Sequence, residues 1–279
     1  MIHLTCALKY EAEALIDTHQ LSLLSSTTLF KIYHNTANTL SLTVTGVGKI
    51  NAAAATAMTI EKLGCHPADA WLNIGIAGHQ SYPVGTIYLV NRIRDSANGN
   101  VWYPQFTFRP PLTTAPLLSL DTPSHDYRDE LYDMEAAGFY TIASRHASSE
   151  LIHVLKIISD NSAAPADQVQ PATIREVTRM NQDTINQVIS ILSDTSRELH
   201  ARYALPAEYE SFLSRWHFSV YQQHKLQHLL QSWQTIRPNE TALDKFDHIT
   251  GSSEVLQCLD DDIQQLMMNY QYHVPDNIY

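Results

Sequence analysis

The chain has 279 residues, 44% of them hydrophobic and 17% charged, with a formal net charge of −11, enough for one large α/β domain or for a domain of about 200 residues with an appendage. The negative balance argues against sequence-independent binding to nucleic acid or to an anionic membrane and favours a small polar ligand. No apolar run reaches membrane-spanning length, MIHLTCALKYEAEAL meets Lys9 and Glu11 too soon for a signal peptide, and Cys6, Cys65 and Cys258 share no C-x-x-C spacing, so a soluble, reducing, cytoplasmic setting is expected, without a disulfide framework or a cysteine zinc site.

In chain order, IHLTCAL at 2–8 reads as a strand and EAEALIDTH at 11–19 as a short helix. TLFKIYH and TLSLTVT are strands joined by the hairpin NTAN. GVGK at 46–49 breaks the pattern before the alanine-rich helix INAAAATAMTIEKLG, whose Gly64 is a stop signal. AWLNIGIAG, GTIYLVNRI, APLLSL and LIHVLKII are further strands, their continuous apolar runs suited to a sheet covered on both faces. A helix opens near Glu135 within LYDMEAAGFY at 131–140. After the loop DNSAAPADQVQPA the pattern is helical from about Thr173, and from about His200 two more helical stretches, AEYESFLSRWHFSVYQQHKLQHLLQSWQTI and SEVLQCLDDDIQQLMMNYQ, form an appendage. The division expected is 1–198 for the α/β domain and 199–279 for a helical extension.

In an open α/β sheet, ligands gather at the carboxyl ends of strands and the adjoining helix amino termini. LKYE at 8–11, TGVGK at 45–49, NIGIAG at 73–78 and ISDN at 158–161 end strands in this way, and the Glu135 helix opens beside them. Each has a plain structural reading. Glu11 and Glu135 suit the positive end of a helix dipole, Gly46 and Gly48 suit a turn that can also present amides, Asp160 suits an N-cap, and the glycines of NIGIAG suit a close neighbouring backbone.

Taken in order, CALKYEAEAL, TGVGKINAAAATA, NIGIAG, YDMEAA and IISD resemble the nucleoside phosphorylase and nucleosidase superfamily, purine nucleoside phosphorylase-like proteins among them. The first motif is most similar to methylthioadenosine/S-adenosylhomocysteine nucleosidases. The resemblance covers about residues 1–198. It implies a three-layer α/β/α fold with a central mixed sheet and cleavage of the N-glycosidic bond of a purine nucleoside or 5′-modified nucleoside. No metal or cofactor is implied; the partner is a small-molecule nucleoside, and a homodimer or larger homo-oligomer is expected.

By this resemblance Asp160 is the general acid for the leaving base, positioned by Ser159, and Glu11 activates the attacking water. Glu135 holds the ribose hydroxyls and Met134 lies against the sugar. Ile76, Gly78 and Gly46 complete the implied substrate-binding set. At Ile76 the chain departs from the usual G-S-A-G or G-S-C-G pattern, and the LKYE stretch holds no arginine. A phosphate dianion beside an unpaired carboxylate is repelled, so water is favoured over phosphate as acceptor. A phosphorolytic enzyme and a non-catalytic nucleoside-binding relative acting through its extension are the alternatives.

Only DTPSHDYRDELY separates LLSL from DMEAA, where the family usually carries a longer base-lining segment. Thr122, Pro123, His125 and Tyr127 are candidates for base contact there, or for a surface turn. His79 is a candidate to narrow the sugar site, and Arg92 and Arg94 are candidate anion ligands or a solvated strand end. His217, His224 and His228 are spaced along one expected helical face, among surroundings that do not favour a metal. Phe212, Trp216, Tyr221, Leu226, Leu229, Leu230 and Trp233 are expected to form a buried stripe against the main domain, another subunit or a partner, and LDDDI a solvated acidic turn.

Overall fold

The computed structural model describes residues 1–24, 29–124, 126–246 and 248–271. Two compact units emerge, Met1–His200 and Ala201–Tyr279.

In the first unit, β1 (Ile2–Cys6) leads into α1 (Lys9–Thr18), and β2 (Ser22–Leu23), β3 (Lys31–His34) and β4 (Leu40–Val44) form an antiparallel run. After α2 (Lys49–Leu63) come β5 (Ala70–His79), β6 (Ile87–Asp95), β7 (Val101–Trp102), β8 (Thr114–Ser119) and β9 (Leu131–Asp133). Helix α3 (Ala136–Ala143), β10 (Ile152–Asn161), α4 (Pro171–Met180) and α5 (Gln182–Tyr203) follow. The sheet is mixed and runs β10-β6-β8-β9-β5-β1-β4-β3-β2, with β7 on β6. Because β10 also pairs with β5, strands β5, β10, β6, β8 and β9 form a closed circuit. Strands β2, β7 and β9 are two or three residues long, too short for a run of alternating side chains to mark them in sequence.

The expected apolar strands are buried for the reason their composition gives. Every residue of β1 is buried, and β10 is buried from Ile152 through Asp160. Helices α2 and α3 pack together, as do α1 and α4. The alanines of α2 permit this, with Ala52 and Ala55 fully buried, and Gly64 ends the helix in the left-handed region at φ 58°. Gly138 in α3 meets α2 so closely that a β-carbon there would stand 2.0 Å from the Lys49 carbonyl oxygen.

The second unit has its own core. Helices α6 (Tyr209–Arg215), α7 (Val220–Ile236) and α8 (Ser252–Gln271) enclose Phe212, Trp216, Leu226, Leu230, Trp233 and Phe246. Most of the expected stripe is therefore buried within this unit, but Tyr221 is 79% exposed. The histidine pattern also needs correction. Ser219 caps α7 by accepting the Gln222 N–H, which starts the helix after His217, and His217, His224 and His228 are all exposed. No helix among the described residues is long and apolar enough to cross a membrane.

Candidate active site

The carboxyl ends of β1, β5 and β10 and the first turns of α1 and α3 surround a cavity with about 650 Å³ of empty space, its opening to solvent included. Glu11, Ile76, Gly78, Met134, Glu135, Ser159 and Asp160 all line it. The topology explains why distant motifs meet: β5 lies between β1 and β10 and pairs in parallel with both, so all three motifs leave the sheet at one end.

Glu11 occupies the first turn of α1, where Oε2 accepts the Leu8 N–H at 2.7 Å. It also crosses to β5, where Oε1 accepts the Ile76 N–H at 2.9 Å. Position 76 thus contributes an amide even though its side chain is apolar. Burial pushes the Glu11 carboxyl above its ordinary value, while the Leu8 and Ile76 amides and Lys156 work against that rise.

Glu135 is the residue preceding α3, yet it does not cap that helix. Asp133 Oδ2 accepts the Ala136 N–H at 2.8 Å and Ser119 Oγ accepts that of Ala137 at 3.2 Å. With these amides satisfied, Glu135 reaches the start of α2 instead and accepts the Gly48 N–H at 2.9 Å. Burial, and then the charge of Asp133, raise the Glu135 carboxyl to about 7. Gly48 can sit at this turn because its φ of 106° suits glycine.

Lys156 supplies the compensating charge. It is 1% exposed, and its Nζ lies 2.8 Å from Asp133 Oδ2. Burial alone would lower the Lys156 ammonium, but Asp133, Glu135 and Glu11 together raise it. Sequence reasoning did not single out this lysine. Its signal was a lone cation inside the apolar run LIHVLKII, where an unpaired charge would be costly.

Asp160 accepts from two hydroxyls, Ser159 Oγ to Oδ1 at 2.5 Å and Tyr127 Oη to Oδ2 at 2.6 Å. Tyr127 in turn accepts the Ala166 N–H at 3.2 Å. Burial and the bond to Asp160 push the phenol up to about 12, so it remains a donor. The glycines of β5 make room for these side chains. A β-carbon at Gly75 would lie 3.0 Å from Glu11 Oε1 and 3.3 Å from Lys156 Nζ; one at Gly78 would lie 2.6 Å from Asp160 Oδ2. They admit functional side chains, where a close neighbouring backbone was expected.

Other expectations change. Gly46 lies outside the cavity lining, and its N–H is taken by the Ala7 carbonyl at 3.0 Å; the amide this turn offers to Glu135 is that of Gly48. Pro123 and Tyr127 line the cavity, Thr122 does not, and His125 lies outside the described residues. His79 does not line it either: its ring stacks on Tyr82 at 3.5 Å and its Nδ1 accepts from the Ser81 and Tyr82 amides. Arg92 and Arg94 both engage Glu130, at 3.4 and 2.6 Å. Three structural comparisons bear on the fold. The 5′-methylthioadenosine nucleosidase of Arabidopsis thaliana is 18% identical with a TM-score of 0.57, over 68% of this chain and 95% of that one. An MTAN from Chlamydia trachomatis gives 20% identity and a TM-score of 0.52, over 70% and 98%. Futalosine hydrolase of Helicobacter pylori gives 11% and 0.53, over 68% and 98%.

The fold is shared with these nucleosidases and with futalosine hydrolase. No family model and no curated protein sequence matches the chain. Within this nucleosidase-like fold the cavity lining carries Glu11, Asp133, Glu135 and Asp160, and none of its described residues is lysine or arginine. Such a lining offers hydrogen-bond acceptors to hydroxyl groups and, among its described residues, no cationic side chain to a free dianion.

Proposed function

We propose that the chain is a nucleosidase that uses water to cleave the N-glycosidic bond of a purine nucleoside or a 5′-modified relative. The observation that carries this reading is the cavity lined by four carboxylates and, among the described residues, by no lysine or arginine. Nucleosidases and a futalosine hydrolase of the same fold support hydrolysis as the reaction class.

As the bond from C1′ to the base nitrogen breaks, the ribose becomes oxocarbenium-like. Glu135, anchored through the Gly48 amide, accepts hydrogen bonds from the ribose hydroxyls, while Met134 provides an apolar wall. Glu11 takes a proton from water as the water oxygen bonds to C1′. Asp160 acts as the general acid and delivers a proton to the departing base, with purine N7 as its target. The carboxylate so formed is received by Ser159 and Tyr127. Both donors are already in place to hold the charge that forms on Asp160.

Base release from methylthioadenosine, S-adenosylhomocysteine, inosine, adenosine and uridine, followed chromatographically with and without phosphate, tests the reading. Release from a purine substrate without phosphate is expected. Strict dependence on phosphate would make the chain a phosphorylase, and binding without release would make it a non-catalytic relative.

A further inference from the structure

The amino ends of β1 and β5, remote from the carboxylate cavity, hold a second cluster. His3, Cys65 and Asp69 offer ligand atoms that all lie within 4.8 Å of one another. His3 Nε2 is 3.3 Å from Asp69 Oδ2, and His3 Nδ1 is 3.9 Å from Cys65 Sγ. His200 places its Nε2 2.8 Å from Asp69 Oδ1, and its ring stacks on His66 at 4.5 Å. Asp69 precedes β5 and Gly78 lies near that strand's other end, so roughly 30 Å of strand separates the cluster from the cavity.

Tetrahedral zinc, at about 2.1 Å from nitrogen and oxygen and about 2.3 Å from sulfur, sets its ligand atoms about 3.4 to 3.6 Å apart. His3 Nε2 and Asp69 Oδ2, 3.3 Å apart, already match that spacing, and the three ligand atoms of the cluster all lie within 4.8 Å of one another. Mixed nitrogen, sulfur and oxygen donors suit zinc, whereas calcium and magnesium take oxygen. The outer contacts are also those of a metal site. His3 Nδ1 meets Ser41 Oγ at 2.8 Å, which fixes the ring and leaves Nε2 toward Asp69, and Asp69 is oriented by the His66 N–H at 2.7 Å. An entry path exists as well, because a cavity lined by Met1, Ser196, Arg197 and His200 opens beside the cluster.

We propose that His3, Cys65 and Asp69 form a zinc site, with the other Asp69 oxygen held by His200 and the Met1 ammonium. His3 binds as neutral imidazole through Nε2 and Asp69 as carboxylate. Cys65 binds as thiolate, its proton leaving to water as zinc takes the sulfur. The site ties the start of β1 to the α2–β5 connection, and its role is structural.

The test uses the tag-free full chain, stripped with a chelator and titrated with cobalt(II). Saturation at one equivalent is expected, with intense tetrahedral d–d bands and a thiolate-to-cobalt charge-transfer band that zinc bleaches. Cys65→Ser should abolish the charge-transfer band and Cys258→Ser should leave it intact. His200→Gln should keep the band but weaken cobalt binding at least about tenfold, the order found for groups that set a metal's environment. Zinc should raise the Tm of the wild-type chain and protect Cys65, but not Cys258, from alkylation read by mass spectrometry; this readout serves even where a variant fails to fold. Absence of the charge-transfer band in the wild type, its persistence in Cys65→Ser, or equal alkylation of Cys65 with and without zinc would overturn the site and leave a hydrogen-bonded cluster.

Discussion

Tyr127 donates its hydroxyl to Asp160 Oδ2 across 2.6 Å, on the side opposite the Ser159 hydroxyl at Oδ1. The loop that carries Tyr127 places an aromatic hydroxyl between Asp160 and the Ala166 amide. A hydrogen bond to a charged group contributes about 1.5 to 3 kcal/mol. Tyr127→Phe should therefore lower kcat by about tenfold or more while changing KM little, because the donor acts on the carboxylate formed as the base leaves. Steady-state kinetics decide it; an unchanged kcat would reduce Tyr127 to a wall of the cavity.

Glu135 gives a prediction with a definite sign. Its folded-state value of about 7 lies above the ordinary 4.5 because of burial and then Asp133. Between those values the folded chain binds more protons than the unfolded chain, so this group's contribution to stability is present at low pH and is lost as pH rises toward about 7. Glu135→Gln removes that dependence. The Tm of the variant relative to wild type should climb as pH rises from 4.5 to about 7, while ribose affinity and turnover fall. Parallel Tm profiles for the two proteins would contradict the raised carboxyl, and unchanged turnover would return Glu135 to a purely structural role.

The sequence made the members of the site legible but not the links between them. Glu11, Glu135 and Asp160 stood out as carboxylates at strand and helix boundaries, and the strands carrying them were plain from their apolar runs. The division of labour in Asp133-Met134-Glu135 was not legible: which carboxylate caps the helix and which reaches Gly48 depends on side-chain directions and on Ser119, a residue 16 positions before Glu135. Lys156 was hidden because its partners lie in other elements. Gly46 and Gly48 looked equivalent in TGVGK; only the pairing of Gly46 N–H with Ala7 separates them. The histidines of the second unit failed for a local reason, the Ser219 capping box, which was present in SVYQ but outweighed by their helical spacing.

Lys156 should be indispensable to folding as well as to the site. Its ion pair with Asp133 has both side chains at 1% exposure or less. Removing one partner of such a pair strands the other charge and costs about 3 to 5 kcal/mol. Lys156→Gln should show that loss in chemical denaturation, and Lys156→Gln combined with Asp133→Asn should recover part of it. A double variant as unstable as the sum of the single ones would show that the two residues are not energetically coupled.

Gly138 links helix packing to the ribose site. Helix α3 follows directly from Glu135 and α2 follows directly from Gly48, its partner, so the approach of the two helices sets the 2.9 Å bond between these residues. Lys49, whose carbonyl a new β-carbon would meet at 2.0 Å, is itself held by Asp95 at 2.5 Å and Asp121 at 2.6 Å and has little room to yield. Gly138→Ala should cost at least about 1 to 3 kcal/mol, the range for overpacking, although alanine is the better helix former. Because the displaced element carries Glu135, KM should also rise. A higher Tm in Gly138→Ala would mean that helix propensity outweighs the contact, and an unchanged KM in a destabilised variant would show that the Glu135 anchor survives separation of the helices.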